Sequence, residues 1–405
     1  DWAAFQGYSV MSLKKEGNLP AELKPGLTIT KDNMSSFPWL ADYLPAASMD
    51  RLKSNDWFQW DEIVIIPSSS YHMPRNVLDA TKEAQANKTV FNATDKGDLL
   101  LPSGDFALTN SAAIPFPKPK NGLELNWDFV ANGVSGENFV LKPVKFDACN
   151  PKNKKDRSYE GHAWWKKFHG RAGPDVPDRE GVIEGGVFYF MKPFDVRGLA
   201  AVRLRYADAS KDDNFKVYLP GLRRTRVLSG SDGQDPMAAG LETTWDEWRG
   251  VWVKTNPQLF DYKIVGEGFV LAGPDTRYEP VTRKEGDTCN LKRVELELRP
   301  VWIMEINNTD GKYQYSKRKV YIDKEWYYTQ YQEMYDQRGN LWRVWDDMRD
   351  FNPSTGEAQY RQVLNWNTRD KRFTYIHINA IWSGKEFETE PTPALFNIDQ
   401  VRDYR

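Results

Sequence analysis

The residues best suited to polar recognition are three arginines near the middle of the chain. Arg223, Arg224 and Arg226 follow Leu219-Pro-Gly-Leu222, a turn signal between two strand-like segments. On a strand, Arg224 and Arg226 would share one face and Arg223 would point to the other. Guanidinium groups bind phosphate or carboxylate through paired hydrogen bonds. We therefore predict a contact with a lipid head group or a partner's acidic surface; ion pairs on an exposed strand are the alternative.

A second group of residues could bind an apolar ligand. In the segment 294–306, apolar side chains at even positions alternate with Glu295, Glu297, Arg299 and Glu305 at odd positions. Charged side chains are costly to bury without partners, so the even face is expected to be the covered one. The candidate lining residues for an apolar cavity are Leu296, Leu298, Trp302, Met304, Tyr328, Met334 and Trp342. Methionine and aromatic side chains adapt to irregular apolar ligands, and an ordinary filled core is the alternative.

No residue pattern indicates catalysis. The chain has no G-x-S-x-G motif, and Ser231, the serine between glycines, lies in a polar turn. His162 and His169 are separated by seven positions, whereas a zinc-binding helix uses i, i+4 spacing. The 57 acidic residues offer no distinctive pair for glycoside hydrolysis. We therefore expect no catalytic residues, no metal and no cofactor.

Charge and composition exclude two further classes. The 405 residues include 55 Lys and Arg against 57 Asp and Glu, a net charge of −2, so there is no basic excess for nucleic acid. No apolar stretch approaches the roughly 20 residues that a transmembrane helix needs. Aromatic residues make up 14% of the chain, which favours a β-rich core.

The elements that must position these residues are mostly strands. From residue 183 onward, alternating segments are separated by short turns such as Asn308-Thr-Asp-Gly311, Asp336-Gln-Arg-Gly339 and Asn367-Thr-Arg-Asp370. The predicted strands are 183–194, 199–207, 214–219, 222–228, 261–271, 291–306, 314–322, 326–336, 340–349, 359–366 and 372–382. Hairpin turns require antiparallel neighbours. The pattern therefore predicts one continuous, strongly bent antiparallel sheet over 183–382.

We interpret the whole chain, 1–405, as a single domain. Residues 1–125 form an N-terminal helical and irregular segment, with predicted helices at 46–57 and 74–86. A proline-rich connector then leads to a first strand at 123–130. The curved sheet occupies 126–382, with a charged surface excursion at 131–180, and 383–405 form a C-terminal tail.

Four segments of the chain together resemble a known protein family. They are Ala113-Ile-Pro-Phe-Pro-Lys-Pro-Lys-Asn-Gly-Leu-Glu124, Tyr218-Leu-Pro-Gly-Leu-Arg-Arg-Thr-Arg226, Arg318-Lys-Val-Tyr-Ile-Asp323 and Tyr335-Asp-Gln-Arg-Gly-Asn-Leu-Trp-Arg343. Their order and spacing resemble the bacterial periplasmic domain-of-unknown-function family 1329, which is related to the LolA- and LolB-like carriers that sort lipoproteins to the outer membrane. The resemblance covers the chain from about residue 40 to the C-terminus.

The resemblance implies a mainly β fold with a few helices. It implies a large curved antiparallel sheet, an incomplete β-barrel whose open side is plugged by helices, with a hydrophobic cavity between. It also implies a removed signal peptide and the periplasm of a Gram-negative bacterium; a lipid anchor ahead of Asp1 stays open. In that oxidising compartment, Cys149 and Cys289 could form a disulfide. The family has no established catalytic residues, so none is transferred.

The resulting functional hypothesis is a non-catalytic periplasmic carrier or chaperone. Its ligand would be a hydrophobic small molecule, a lipid or a lipoprotein acyl chain, and its partner an envelope transport or outer-membrane protein. The segments 46–57 and 74–86 are the candidate lids. Two alternatives remain: a periplasmic protein that binds or processes carbohydrate on tryptophan platforms, and an envelope scaffold whose barrel interior is filled.

Overall fold

The fold is dominated by one large open sheet. The computed structural model describes residues 19–53, 60–171, 175–176, 181–228, 233–247, 250–251, 253–275, 291–309, 311–381, 392–402 and 404. The strands are β1 (Thr28–Thr30), β2 (Trp60–Ile65), β3 (Asn92–Ala93), β4 (Leu99–Leu100), β5 (Asn138–Cys149), β6 (Lys155–Lys167), β7 (Val182–Lys192), β8 (Ala200–Tyr206), β9 (Asn214–Leu219), β10 (Arg224–Leu228), β11 (Phe260–Ala272), β12 (Leu291–Asn308), β13 (Lys317–Asp323), β14 (Thr329–Tyr335), β15 (Leu341–Asn352), β16 (Glu357–Asn367) and β17 (Arg372–Ile381). Fifteen of these strands form the sheet, and β3 and β4 form a small separate ribbon.

The strand order confirms the predicted mainly β fold. The path of paired strands runs β1-β2-β12-β13-β14-β15-β16-β17-β5-β6-β7-β8-β9-β10, and β11 pairs with β12 outside this path. The path ends at β1 and β10, so the sheet is not closed. Hairpin turns join β12 through β17 as predicted, and these neighbours are antiparallel. One pairing differs: β2 lies parallel to β12, which makes the sheet mixed.

The predicted surface excursion at 131–180 is wrong. Residues 138–149 and 155–167 form β5 and β6, which connect β17 to β7 in the middle of the sheet. Phe146 and Tyr159 are buried on one face, whereas Lys145 is exposed on the other. The charged side chains of this region therefore belong to a half-buried sheet, and they obscured an alternation that is typical of strands.

The predicted strand at 123–130 is a helix. The helices are α1 (Leu40–Tyr43), α2 (Ala46–Lys53), α3 (Arg75–Ala86), α4 (Ala107–Asn110), α5 (Gly122–Ala131) and α6 (Ile398–Arg402). At the start of α5, the Asn121 side chain accepts a hydrogen bond from the Glu124 amide, and the Glu124 carboxylate accepts one from the Lys120 amide. This reciprocal capping starts a helix. The predicted helices at 46–57 and 74–86 correspond to α2 and α3, and residues 54–59 lie outside the described part of the chain.

The two faces of the sheet bury different apolar clusters. The inner cluster gathers side chains from most strands together with α3 and α5, for example Val77, Phe129 and Phe188. On the opposite face, one outer cluster lies under α1 and α2, and another lies under α6. Because Leu52 of α2 belongs to an outer cluster, α2 does not cover the interior as the lid hypothesis supposed. Helix α3 does lie on the inner side.

Strand β12 does not present one uniform face to the interior. Leu296 and Val301 belong to an outer cluster, whereas Trp302 and Met304 belong to the inner cluster. The change occurs at Pro300, between the part of β12 that pairs with β2 and the part that pairs with β13. The expectation of one covered even face is therefore wrong, because a proline and a change of neighbour interrupt the alternation.

Candidate ligand-binding cavities

An apolar cavity of about 30 Å³ lies on the inner face of the sheet. Its walls come from β5, β15, β16 and β17, and they include Leu141, Phe146, Val363 and Ile376. Apart from the side chains of Thr243, Trp345 and Tyr360, which each carry one polar atom, the lining is hydrocarbon. Strands that place large aromatic and branched side chains on one face create such a site where neighbouring side chains do not fill the curved interior.

The segment 233–247 lies over this cavity, and we call it the cover. Thr243 of the cover lines the cavity, and the carboxylate of Glu247 accepts a hydrogen bond from the Tyr315 hydroxyl at 2.6 Å. The Glu242 amide donates to Thr374 Oγ1 at 2.7 Å. Burial raises the pKa of Glu242 despite the nearby Arg343 guanidinium. Within the described residues, every hydrogen bond between the cover and the sheet uses a side chain.

A larger pocket of about 180 Å³ lies beside the cover. Its lining mixes apolar side chains, including Phe215, Leu228 and Leu259, with the charged side chains of Arg203, Asp213, Asp246 and Lys254, which we call the charged lining. The two kinds are in contact, since the Arg203 guanidinium lies 5.2 Å from the Phe215 ring centroid. Residues from β8, β9 and β10 meet residues of the cover and of the start of β11 there. The pocket therefore offers both apolar and charged contacts, which suit an amphiphilic molecule.

Two buried arginines hold the charged lining in place. Arg203 Nε donates to Asp213 at 2.8 Å, and Arg205 Nη2 donates to the same carboxylate at 2.9 Å. Burial would raise the pKa of Asp213, but the two guanidinium groups outweigh it and lower the pKa to about 2. Burial lowers the pKa of Lys254, whose ammonium group donates to the carbonyl of Asp208 at 2.7 Å. The charged lining thus combines fixed charges of both signs.

A row of aromatic rings joins the two sites. Phe146 lines the apolar cavity and lies 5.6 Å from Phe188, measured between ring centroids. Phe188 lies 6.5 Å from Trp245 of the cover, and Trp245 lies 5.8 Å from Phe215 in the larger pocket. Four successive aromatic rings therefore connect the cavity with the pocket.

The predicted cavity residues do not form one lining. Leu296 and Leu298 lie in or against an outer cluster. Trp302, Met304, Tyr328 and Met334 lie in the inner cluster, and Trp342 packs against it. None of the seven lines either the apolar cavity or the larger pocket described above.

Cations accompany most of the predicted residues of the inner cluster. The Arg349 guanidinium lies 3.7 Å from the Tyr328 ring centroid, and Arg318 Nη1 donates to the Met334 sulfur at 3.4 Å. Arg343 and Lys324 lie over the rings of Trp342 and Trp302, at 4.7 Å and 5.4 Å. This half of the interior is thus an aromatic and arginine network, whereas the apolar half lies around β5, β16 and β17. Alternation along β5 and β16 could have revealed the apolar half.

Arg223, Arg224 and Arg226 lie on the surface. Arg223 closes the turn between β9 and β10 with a positive φ of 51°. Arg224 and Arg226 belong to β10, the last strand of the path, and all three side chains are exposed. The three arginines are therefore exposed at the turn and on β10, and none of them lines either cavity. Their contact with a head group or an acidic partner stays a prediction.

These features define a class of protein built on a large open sheet. The inner face of the sheet carries an aromatic core, and helices and the cover lie over it. The family model of proteins of unknown function, DUF1329, matches residues 28–402, so the chain belongs to this family, as the resemblance indicated. A curated relative is an uncharacterized protein of Pseudomonas aeruginosa, 25% identical over 347 residues, covering 80% of this chain and 69% of the relative.

Solved structures with a similar fold come from three other bacteria. A candidate outer membrane lipoprotein-sorting protein domain from Vibrio parahaemolyticus is 16% identical, covers 69% of this chain and 98% of that one, and has a TM-score of 0.49. A DUF1329 family protein from Desulfovibrio piger is 19% identical, with coverages of 69% and 97% and a TM-score of 0.48. A LolA superfamily protein from Nitrosomonas europaea is 10% identical, with coverages of 64% and 94% and a TM-score of 0.37.

The described helices are short. The longest, α3, has 12 residues, and none of the helices in the described ranges has the length and apolar character needed to cross a membrane.

Proposed function

We propose that this protein is a non-catalytic carrier that binds the apolar chain of an amphiphile on the inner face of its sheet. The observation that carries the proposal is the apolar cavity beneath the cover. Strand pairing does not hold the cover against the sheet; side-chain hydrogen bonds such as those of Glu247 do. A segment held in this way can move without breaking the sheet.

Ligand binding requires this movement. A cavity of about 30 Å³ has room for about one or two water molecules. Each methylene transferred from water into an apolar site contributes about 0.8 kcal/mol, so a chain of ten or more carbons offsets the loss of several hydrogen bonds. The aromatic row from Phe146 to Phe215 supplies apolar surface along the path. We therefore expect the chain to occupy the space along this row.

The larger pocket would hold the polar part of the same ligand. Its charged lining carries Arg203 and Lys254 beside Asp213 and Asp246. A bare carboxylate would meet both signs of charge, whereas a zwitterionic or hydroxyl-bearing head group can satisfy both. The favoured ligand class is therefore a single-chain amphiphile with such a head group.

The proposed location is the periplasm, and the proposed partner is an envelope transport or outer-membrane protein that releases the ligand. Cys149 is disulfide-bonded, which supports an oxidising compartment. Cys289, its predicted partner, lies outside the described residues.

The test compares two valine-to-phenylalanine variants. Val363 lines the apolar cavity, whereas Val320 is equally buried in the same cluster but lines neither cavity. We expect Val363→Phe to fill the cavity, to unfold at close to the wild-type urea concentration and to lose binding of a fluorescent lysophosphatidylcholine. Val320→Phe should overpack a filled core and cost roughly 1–3 kcal/mol, while any folded fraction still binds.

Three outcomes would contradict the carrier proposal. They are a wild type that binds no fluorescent amphiphile, a folded Val363→Phe variant that binds as the wild type does, and native mass spectrometry that shows no co-purified lipid after gentle isolation. If the wild type binds no amphiphile and no lipid co-purifies with it, the remaining hypothesis is an envelope scaffold with a filled interior.

The carbohydrate alternative has less support. The tryptophans whose side chains the structure describes are all buried or half-buried, so the described part of the chain offers no exposed ring as a sugar platform.

A further inference from the structure

Two apolar side chains project from neighbouring turns at one end of the sheet. Phe194, in the turn between β7 and β8, is 89% exposed, and Leu222, in the turn between β9 and β10, is 68% exposed. Exposed apolar side chains that are grouped at one place and rimmed by polar residues are typical of an interaction site. We call the surface formed by residues 150–154, 193–198 and 220–224 the basic rim.

The pairing register places these turns side by side. Tyr189 of β7 pairs with Ala200 of β8, and Ala200 pairs with Tyr218 of β9, so the turns that follow leave the same end of the sheet. A methyl group added to Gly198 would lie 3.7 Å from Cβ of Pro220. The β5–β6 turn leaves the same end of the sheet, because β6 extends past the pair Glu160–Lys192 and its Arg157 forms an ion pair with Asp195 of the β7–β8 turn.

Hydrogen bonds within the turns hold both projections in place. The Arg197 amide donates to the Phe194 carbonyl at 3.2 Å, and the Gly198 amide donates to the Phe190 carbonyl at 2.9 Å. In the second turn, the Leu222 amide donates to the Leu219 carbonyl at 3.2 Å. The two side chains are therefore presented by ordered backbone, which lowers the entropy lost on binding.

The rim is basic although the whole chain is slightly acidic. Its exposed cations are Lys152, Lys154, Arg197, Arg223 and Arg224. Among the described residues, no carboxylate lies within ion-pair distance of these five. The single rim carboxylate, Asp195, is already engaged by Arg157. Positive charge is thus concentrated here in a chain whose net charge is −2.

We propose that the basic rim docks on an anionic lipid surface, with Phe194 and Leu222 inserted among the acyl chains and the five cations against lipid phosphates. Anionic membranes attract such clusters, and aromatic and aliphatic side chains insert at their interface. Single side chains that project from tight turns fit a fluid apolar medium, whereas an acidic protein partner would need two matching pockets. This docking proposal goes beyond the proposed carrier function, and it does not depend on ligand binding in the cavities.

The test is sedimentation with lipid vesicles at low and high salt. One vesicle is phosphatidylcholine alone, and the other contains one third phosphatidylglycerol. We expect the wild type to sediment with the phosphatidylglycerol vesicles at low salt and to be released at high salt. The variant Phe194→Ser with Leu222→Ser should lose about tenfold or more in binding. Arg197→Gln with Arg223→Gln and Arg224→Gln should lose the preference for phosphatidylglycerol.

The matched control replaces two exposed valines that lie outside the rim. Val90→Ser with Val265→Ser removes apolar side chains that are 62% and 49% exposed outside the rim, and it should bind as the wild type does. All these positions are exposed, so thermal melts should superimpose. A wild type that binds neither vesicle would overturn the proposal and would favour an acidic protein as the partner of the rim. The proposal would also be overturned if the variant Phe194→Ser with Leu222→Ser bound the phosphatidylglycerol vesicles as tightly as the wild type does. Amphiphile binding by the same samples reports separately on the cavities.

Discussion

Arg299 lies at the centre of a completely buried charge cluster. Its guanidinium donates to Asp323 at 2.8 Å, to Glu325 at 2.7 Å and to Glu297 at 3.1 Å. The Tyr71 hydroxyl donates to Glu297 at 2.9 Å. Burial raises the pKa of Glu297 to about 7, and the nearby guanidinium offsets only part of that rise. One of three carboxylates thus holds its proton near neutrality.

This shift predicts a loss of stability with rising pH. The folded protein keeps the Glu297 proton up to a pKa of about 7, whereas the unfolded chain releases it near 4.5. Stability present at low pH is therefore lost as pH rises through that window. At about 1.4 kcal/mol for each pKa unit, we expect Glu297→Gln to remove a decline on the order of 3 kcal/mol between pH 5 and pH 8.

Urea unfolding at the two pH values measures this difference. Glu305→Gln, on the same strand and 22% exposed, is the control and should keep the wild-type decline. Equal slopes for Glu297→Gln and the wild type would show that Glu297 does not carry the proton.

Cys149 gives a second prediction for single residues. It is disulfide-bonded, and the chain has two cysteines. Thiol titration of the denatured, unreduced protein should therefore detect no free thiol, and two should appear after reduction. Two thiols before reduction would contradict the predicted Cys149–Cys289 bond.

Contacts of this kind limit what the sequence reveals about individual residues. The alternation of β12 placed Glu297 and Arg299 on one face, which is correct locally. Their burial depends on Tyr71, more than 200 positions earlier in the chain, and no local sequence pattern predicts such a distant partner. The contacts between predicted cavity residues and arginines could not be predicted for the same reason. Residues of different strands, such as Arg349 and Tyr328, come into contact only when the sheet forms.

At the scale of the element, helix α5 approaches the sheet unusually closely. Gly122 begins the helix, and a Cβ there would overlap the backbone of Tyr262 in β11. The helix also contacts the segment that precedes β11, because the Asn126 side chain donates to Thr255 at 2.9 Å. Glycine at 122 therefore sets the distance between helix and strand.

Replacing this glycine should be costly. We expect Gly122→Ala to displace α5 and to lower the free energy of unfolding by roughly 1–3 kcal/mol. Gly268→Ala, on β11 with open space where a Cβ would lie, should be neutral or slightly stabilising, because alanine suits a strand better. Urea denaturation compares the two, and a neutral Gly122→Ala would refute the close approach.

The elements that the sequence predicts well are those with local signals. Hairpin turns and strict alternation define β13 through β17 within a few residues. Helix α5 was missed because the preceding prolines suggest extended chain, although Asn121 and Glu124 carry a capping signal. Strands β5 and β6 were missed because their outward lysines resemble a solvated loop, even though apolar residues such as Phe146 and Tyr159 recur on the other face.

For the whole molecule, the main consequence of the architecture is that both faces of the sheet are covered. The C-terminal segment, expected to be a tail, packs on the outer face. Phe396 is 1% exposed and lies 5.1 Å from Phe168 between ring centroids, and Val401 is buried in the same cluster. Residues 393–402 therefore belong to the packed structure.

Truncating Phe396 should destabilise the whole protein. We expect Phe396→Ala to cost roughly 3–5 kcal/mol, since a fully buried ring leaves a cavity. Leu395→Ala, at a half-buried neighbouring position, should cost less than half as much. Thermal unfolding followed by tryptophan fluorescence compares them, and equal melting temperatures for both variants and the wild type would mean that this segment does not stabilise the sheet.

The pairing of β17 with β5 also determines when folding can finish. Ile381 pairs with Val140, and Phe373 pairs with Cys149, so strands at the centre of the sheet come from distant parts of the chain. Closing so long a loop has a large entropic cost, and folds with many distant contacts fold slowly. A ribosome or secretion channel that releases this chain from its N-terminus delivers β5 long before its neighbour. Until β17 emerges, one edge of β5 stays open to incorrect pairing, so this protein should depend on protection during synthesis more than hairpin-built sheets do.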